Sequence, residues 1–140
     1  MGCGAFALIC VDTTVLVDEF RAKGDPMALV NRALAGHAEE SLLIPVAAAG
    51  EFLDGACMVS EARVQDALRM LRGRQVVNGD LEIAEKYGSL VTRLRREKLL
   101  AGRSQNDLWI SATALSRGAR LLTRNARHFS GIFGLELLSY

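Results

Sequence analysis

The stretch Phe6 to Val11, with the sequence FALICV, decides the expected fold and is followed at once by Asp12. A short, continuous apolar run is typical of a strand that is buried on both faces, as in a parallel sheet covered by helices. The run is too short to cross a bilayer. We therefore expect the carboxylate of Asp12 to lie at the carboxyl end of a buried strand.

Outward from this run, candidate strands alternate with segments of helical periodicity. The further candidate strands are Ser41 to Ile44, Gln75 to Val77, Ala119 to Thr123 and Leu135 to Leu138. The longest candidate helix runs from Asp80 to Leu100, where apolar residues recur every three or four positions. Strands that alternate with helices predict a layered α/β fold with a mostly parallel sheet.

Length and composition predict a single domain over residues 1–140. The chain of 140 residues is 50% hydrophobic, which is enough for one buried core but too short for two ordinary domains. Its 17 basic and 16 acidic residues nearly cancel, so any nucleic-acid binding needs local patches. Three cysteines without a CxxC pair favour a reducing compartment. We expect a cytoplasmic protein with no membrane contact.

Three acidic residues fall where parallel α/β sheets bind their ligands. Asp12 follows the first strand, Glu51 lies about two helical turns after the second strand, and Asp107 opens a later helix. The carboxyl ends of parallel strands meet at one edge, where Asn125 also follows a strand. Clustered carboxylates repel one another unless they bind a cation, and Mg²⁺ or Mn²⁺ prefers oxygen ligands. Such a site can activate water against a phosphodiester.

Each acid also has a purely structural interpretation. Asp12 could simply cap the first helix, and an acid in the first helical turn, such as Asp107, is favoured by the helix dipole. Glu51 stands in an alanine-rich, largely apolar helix, where a charge directed to the interior would be unusual, but it could face solvent. These alternatives remain open at the level of the sequence.

The residues resemble a known family along nearly the whole chain. The segments VDTTVLVDEFR, IPVAAAGEFLDGA, NDLWISATALSRGARLLTRN and ARHFSGIFGLELLSY are similar in order and spacing to PIN-domain proteins, in particular VapC-type toxins. The resemblance implies a three-layer α/β/α fold around a five-stranded parallel sheet. It also implies a Mg²⁺- or Mn²⁺-dependent endoribonuclease, active on RNA as a homodimer and inhibited by a small VapB-like antitoxin.

Within this resemblance, Asp12, Glu51 and Asp107 match the family's acids, and Thr13 matches its hydroxyl beside the first acid. The fourth position departs from the family pattern. Relatives often carry an acid near the last strand, where this chain has Asn125 and then His128. One fewer negative charge should weaken the binding of a second metal ion. His128 could transfer a proton near neutral pH, or it could simply be solvated.

Candidate RNA contacts border the acidic edge. Arg124 and Arg127 flank Asn125 and could hold phosphates, whereas the basic residues at the end of the long helix are more typical of a solvated helix end. Trp109 could stack on a base, although its apolar neighbours favour core or dimer packing.

Two other functions fit parts of the pattern. The first is a non-catalytic PIN-like binding module whose metal site is depleted at the fourth position. The second is a phosphotransfer protein of the receiver or haloacid-dehalogenase type, which also places an Asp after its first strand. That second function would require another acid at position 14 and a late lysine, but the chain has Thr14 and Arg124.

Overall fold

Five parallel strands form the centre of the protein in the computed structural model, which describes residues 7–140. The strands are β1 (Leu8–Val11), β2 (Ser41–Pro45), β3 (Val76–Val77), β4 (Arg120–Thr123) and β5 (Leu137–Ser139), in the order β3-β2-β1-β4-β5. In β1, Cys10 lies opposite Leu43 of β2 and Leu121 of β4. The central position of β1 explains its continuous apolar sequence, because both of its edges are paired and both of its faces are covered.

Six helices flank this sheet and complete the three-layer α/β/α fold expected from the sequence. They are α1 (Thr13–Ala22), α2 (Leu29–Ala35), α3 (Val46–Cys57), α4 (Glu61–Leu71), α5 (Leu81–Arg96) and α6 (Gln105–Arg117), followed by a short 3₁₀ turn at Ala126–Phe129. Side chains of Ser60, Asp80 and Ser104 cap the N-termini of α4, α5 and α6. Each cap satisfies a backbone N–H that the first helical turn leaves free.

The long helix α5 ends four residues earlier than its sequence pattern predicts. Lys98 adopts a left-handed conformation with φ of 60°, and the N–H of Leu99 returns to the carbonyl oxygen of Leu94 at 2.8 Å. This pattern of bonds closes a helix in a Schellman motif, here without the usual glycine. The apolar residues at 99 and 100 therefore belong to the loop that leads into α6.

The core is built from β1, β2 and β4 against the apolar faces of the helices. Ile9, Leu16, Ile110 and Leu121 are fully buried. Cys10 is a buried free thiol and Cys57 an exposed one, while Cys3 and Phe6 lie outside the described residues. None of the helices in the described part of the chain has the length and apolar character needed to cross a membrane.

Candidate metal centre

Asp12 is the most buried of the three acids and is held on both carboxylate oxygens. Oδ1 accepts hydrogen bonds from Thr14 Oγ1 at 2.6 Å and from the N–H of Val15 at 3.2 Å. Oδ2 accepts a bond from Thr123 Oγ1 at 2.6 Å. Burial raises the pKa of Asp12, whereas these hydrogen bonds oppose the rise. Asp12 is therefore the N-cap of α1, as its structural interpretation predicted, and it is also tied to the end of β4.

Glu51 lies on the exposed side of α3, facing the N-terminal turns of two other helices. Its Oε1 accepts a hydrogen bond from Thr13 Oγ1 at 2.9 Å and another from Asn106 Nδ2 at 3.3 Å. Thr13 belongs to α1 and Asn106 to α6, so the carboxylate of Glu51 joins three helices at the carboxyl edge of the sheet. Glu51 is solvent-exposed and is not directed into the core.

Asp107 lies in the first turn of α6, which Ser104 caps. Its side chain is 19% exposed, and Oδ2 is 3.7 Å from Nδ1 of His128. The pKa of Asp107 is raised to about 6, chiefly by burial; the charge of His128 lowers it, whereas those of Glu51 and Asp12 raise it. The three acids therefore lie close enough for their charges to interact.

The two candidates for the fourth position lie on the 3₁₀ turn after β4, but they are placed differently. Asn125 donates its backbone N–H to Thr123 Oγ1 at 2.9 Å. His128 forms the contact with Asp107. Of these two residues, His128 thus pairs directly with a site acid.

The chemistry of this donor set fits a hard divalent cation. Within residues 7–140, no lysine, arginine or histidine forms an ion pair with Asp12 or Glu51, and Asp107 has only the exposed His128. Negative charge at this edge is therefore largely uncompensated, which a cation would correct. As the side chains stand, no three ligating residues of the described chain converge on one point. Their role as metal ligands remains a prediction.

Arg124 and Arg127, the candidate RNA contacts, occupy different environments. The backbone N–H of Arg124 bonds to Thr14 Oγ1 at 3.1 Å, and its Nε donates to Oδ2 of Asp18 at 2.7 Å. Tyr140 donates its hydroxyl to the same oxygen of Asp18 at 2.7 Å. Arg127 is solvent-exposed. Contact of either arginine with RNA remains a prediction.

Several residues of this edge were missed by sequence reasoning. Thr123 bonds to Asp12, Asn106 to Glu51 and Asp18 to Arg124. A signal existed for Thr123, since it is the polar residue that ends β4 after the apolar Leu121 and Leu122, and for Asn106, which adjoins Asp107. Trp109 is half-buried and stacks on Tyr87 with ring centroids 3.7 Å apart, in agreement with the packing role.

The fold and this edge define the protein as a parallel α/β protein with an acidic site at the carboxyl ends of its central strands. Its strand order differs from the 2-1-3-4-5 order of receiver-like folds, which argues against the receiver type of the phosphotransfer alternative and leaves the haloacid-dehalogenase type untested. The PIN domain family model matches residues 9–132. The chain therefore belongs to the PIN domain family.

Individual relatives match nearly end to end. Ribonuclease VapC1 of Methanocaldococcus jannaschii is 29% identical over 132 residues, which cover 92% of this chain and 85% of that protein. VapBC2 from Rickettsia felis, bound to a DNA fragment from their promoter, has a similar fold with a TM-score of 0.80 at 23% identity, covering 94% of this chain and 98% of that chain. A toxin–antitoxin complex from Klebsiella pneumoniae gives a TM-score of 0.69 at 25% identity, with 94% and 95% coverage.

Proposed function

We propose that this protein is a metal-dependent endoribonuclease and the toxin of a VapBC-type toxin–antitoxin pair. Its PIN domain and its similarity to a ribonuclease over 92% of the chain support this function. The observation that carries the proposal is the placement of the three acids at one edge of the sheet: Asp12 caps α1 and bonds to the end of β4, and Glu51 bonds to Thr13 of α1 and to Asn106, the neighbour of Asp107. An acidic edge of this kind is suited to binding a divalent cation, and the RNA substrate would be bound through that cation.

Asp12, Glu51 and Asp107 would hold Mg²⁺ or Mn²⁺, which supplies an activated water and stabilises charge at the phosphodiester. The protein itself orients one of these ligands before a metal binds. Thr14 and Thr123 orient the two oxygens of Asp12. Because these hydrogen bonds exist before any ligand binds, less conformational entropy has to be lost when the site is filled.

Asp107 should make the activity pH-dependent. With a pKa of about 6, its carboxylate carries a proton in much of the population at pH 5 and in little of it at pH 7. A protonated carboxyl is a poor ligand for a cation, so cleavage should increase as the pH rises from 5 to 7. Bound metal would lower this pKa, so saturating metal should move the rise to lower pH.

RNA would be held beside the acids by local positive charge, because the net charge of the chain is only +1. Arg124 and Arg127 follow β4 at the same edge of the sheet. The η nitrogens of Arg124 would face phosphate while its Nε stays on Asp18. Cationic contacts of this kind position the backbone without reading the base sequence.

A small antitoxin is the partner that we propose for the helical surface. A groove of about 740 Å³ runs between α1, α2 and α4, with Phe20 and Met70 among its apolar lining and Lys23, Arg63 and Asp66 among its charged lining. Such a mixed surface suits a short amphipathic segment. We further propose a homodimer, which size-exclusion chromatography with light scattering would test.

The alternative is a PIN-like binding module that has lost catalysis. The presence of Asn125 and His128 where relatives often have an acid favours it, because fewer negative charges bind a metal more weakly. In this case the antitoxin groove would still function. Only a cleavage assay separates the two functions.

The deciding experiment incubates the purified protein, free of antitoxin, with a mixed RNA pool. Cleavage should require Mg²⁺ or Mn²⁺ and should stop with EDTA. Asp12→Asn and Asp107→Asn should each slow it by at least about 100-fold, the lower range for loss of a catalytic group. Asp54→Asn, an exposed change elsewhere on α3, should leave the rate unchanged. Intact RNA under all metal conditions, with no effect of either variant, would refute the nuclease and leave the binding module as the remaining candidate.

A further inference from the structure

His128 is presented to Asp107 by a turn that is anchored on both sides. Its neighbour Phe129 is 1% exposed and fixes the turn in the core. The N–H of His128 bonds to the carbonyl oxygen of Asn125 at 3.0 Å. The imidazole itself stays accessible, with 58% of the side chain exposed. The backbone is therefore held while the ring remains free to bind a ligand.

Arg103, in the loop between α5 and α6, holds the same turn from the other side. Its guanidinium donates to the carbonyl oxygen of His128 at 3.3 Å and to that of Ser130, and its Nε donates to the carbonyl oxygen of Leu99 at 2.7 Å. This clamp links the turn to the segment that begins α6 and carries Asp107. The backbone positions of His128 and Asp107 are therefore held relative to each other, while the imidazole can still rotate.

We infer that His128 supplies a nitrogen ligand to the divalent ion that Asp107 binds, an inference that rests on the proposed metal site. Nδ1 of His128 and Oδ2 of Asp107 are 3.7 Å apart. Two donors that share one ion at about 2.1 Å lie roughly 3 to 3.6 Å from each other. A small rotation of the exposed imidazole closes this gap, and it places nitrogen where an acid would supply oxygen.

A nitrogen ligand changes which metal the site prefers. Mg²⁺ is a hard ion that favours carboxylate and water, whereas imidazole is a better ligand for Mn²⁺ and for the later divalent metals of the series. The site should therefore prefer Mn²⁺ over Mg²⁺ more strongly than it would with an acid at position 128. Replacing His128 with Asp should reverse part of that preference.

Pulsed electron paramagnetic resonance of the Mn²⁺-loaded protein tests the ligand directly. The spectrum should show coupling to an imidazole nitrogen, and labelling the histidines with ¹⁵N should alter that coupling. The coupling should vanish in His128→Asp and persist in His37→Gln. His37 is the other of the two histidines in the chain and pairs with Glu40 in the segment before β2, so it is the matched control.

Competition between Mn²⁺ and Mg²⁺, followed by the signal of free Mn²⁺, measures the preference. Even partners outside the direct ligand set change metal affinity by about 10- to 100-fold, so His128→Asp should lower the Mn²⁺/Mg²⁺ affinity ratio by at least roughly tenfold. His128 is exposed, and an unchanged circular dichroism spectrum will show that the variant folds.

The results separate this inference from the proposed nuclease. Nitrogen coupling without RNA cleavage would support the ligand and refute the nuclease. Cleavage without histidine coupling, or with a coupling that survives His128→Asp, would overturn the ligand and leave the nuclease intact. Failure of Mn²⁺ to bind would overturn the inference as well.

Discussion

Replacing Asp107 with Asn should stabilise the metal-free protein at neutral pH, even though it removes a proposed catalytic group. The side chain of Asp107 is 19% exposed, and burial together with the charges of Glu51 and Asp12 disfavours its ionised form more than the charge of His128 favours it. Asn has almost the same shape but carries no charge, so both the burial cost and the repulsion should disappear. Active sites commonly trade stability for function in this way.

The sign and size of this change in stability follow from the pKa of Asp107 in the folded and unfolded states. In the unfolded chain the pKa of Asp107 has its ordinary value of 3.8, whereas in the folded protein it is about 6. Between these values the folded state binds more protons, so the free energy of unfolding decreases as the pH rises from 4 to 6 and then remains low. The difference of about 2 pH units corresponds to about 3 kcal/mol. Partial exposure and solvent screening reduce the expected gain to about 1–2 kcal/mol.

Urea unfolding in EDTA at pH 4, 5, 6, 7 and 8 measures this effect. At pH 4 the wild type and Asp107→Asn should have similar free energies of unfolding, and at pH 7 the variant should be more stable. Asp54→Asn, which removes an exposed carboxylate on α3, controls for a general effect of losing one negative charge. Adding Mn²⁺ should stabilise the wild type more than the variant. A difference between wild type and Asp107→Asn that is constant from pH 4 to 8 would refute the raised pKa.

Three further substitutions test the framework around the site by urea unfolding. Thr123→Val removes the hydroxyl that donates to Asp12 Oδ2 and should cost about 1–3 kcal/mol, a loss that would be absent if water replaced the bond freely. Phe129→Ala removes the buried side chain next to His128, so it should lower the free energy of unfolding by about 3–5 kcal/mol and speed amide hydrogen exchange at His128. Unchanged exchange would show that the turn is held without this anchor. Gly118→Ala places a side chain at φ of +62°, so it should lower the free energy of unfolding by about 1 kcal/mol even though no atom lies close enough to clash. A variant as stable as the wild type would show that α6 can end in another conformation.

The position of the candidate site could be predicted because its signals are local. Asp12 directly follows an apolar run, and Asp107 begins a helix that Ser104 caps, so both could be assigned to the carboxyl edge once parallel strands were expected. Thr13 and Glu51 gave no such indication of their contact, because they are 38 residues apart in sequence. Likewise, the choice between Asn125 and His128 depends on how the 3₁₀ turn packs.

Sequence alone determined the class of fold and a first strand that is buried on both faces, and it predicted the edge on which the acids gather, because apolar runs, helix caps and periodicity are encoded by neighbouring residues. Tertiary structure decided where strands and charges meet. The last strand is Leu137–Ser139 and not Leu135 to Leu138, since its bounds depend on pairing with Leu121 to Thr123 of β4. The raised pKa of Asp107 also required the fold, because burial and the approach of distant carboxylates are properties of packing and not of local sequence.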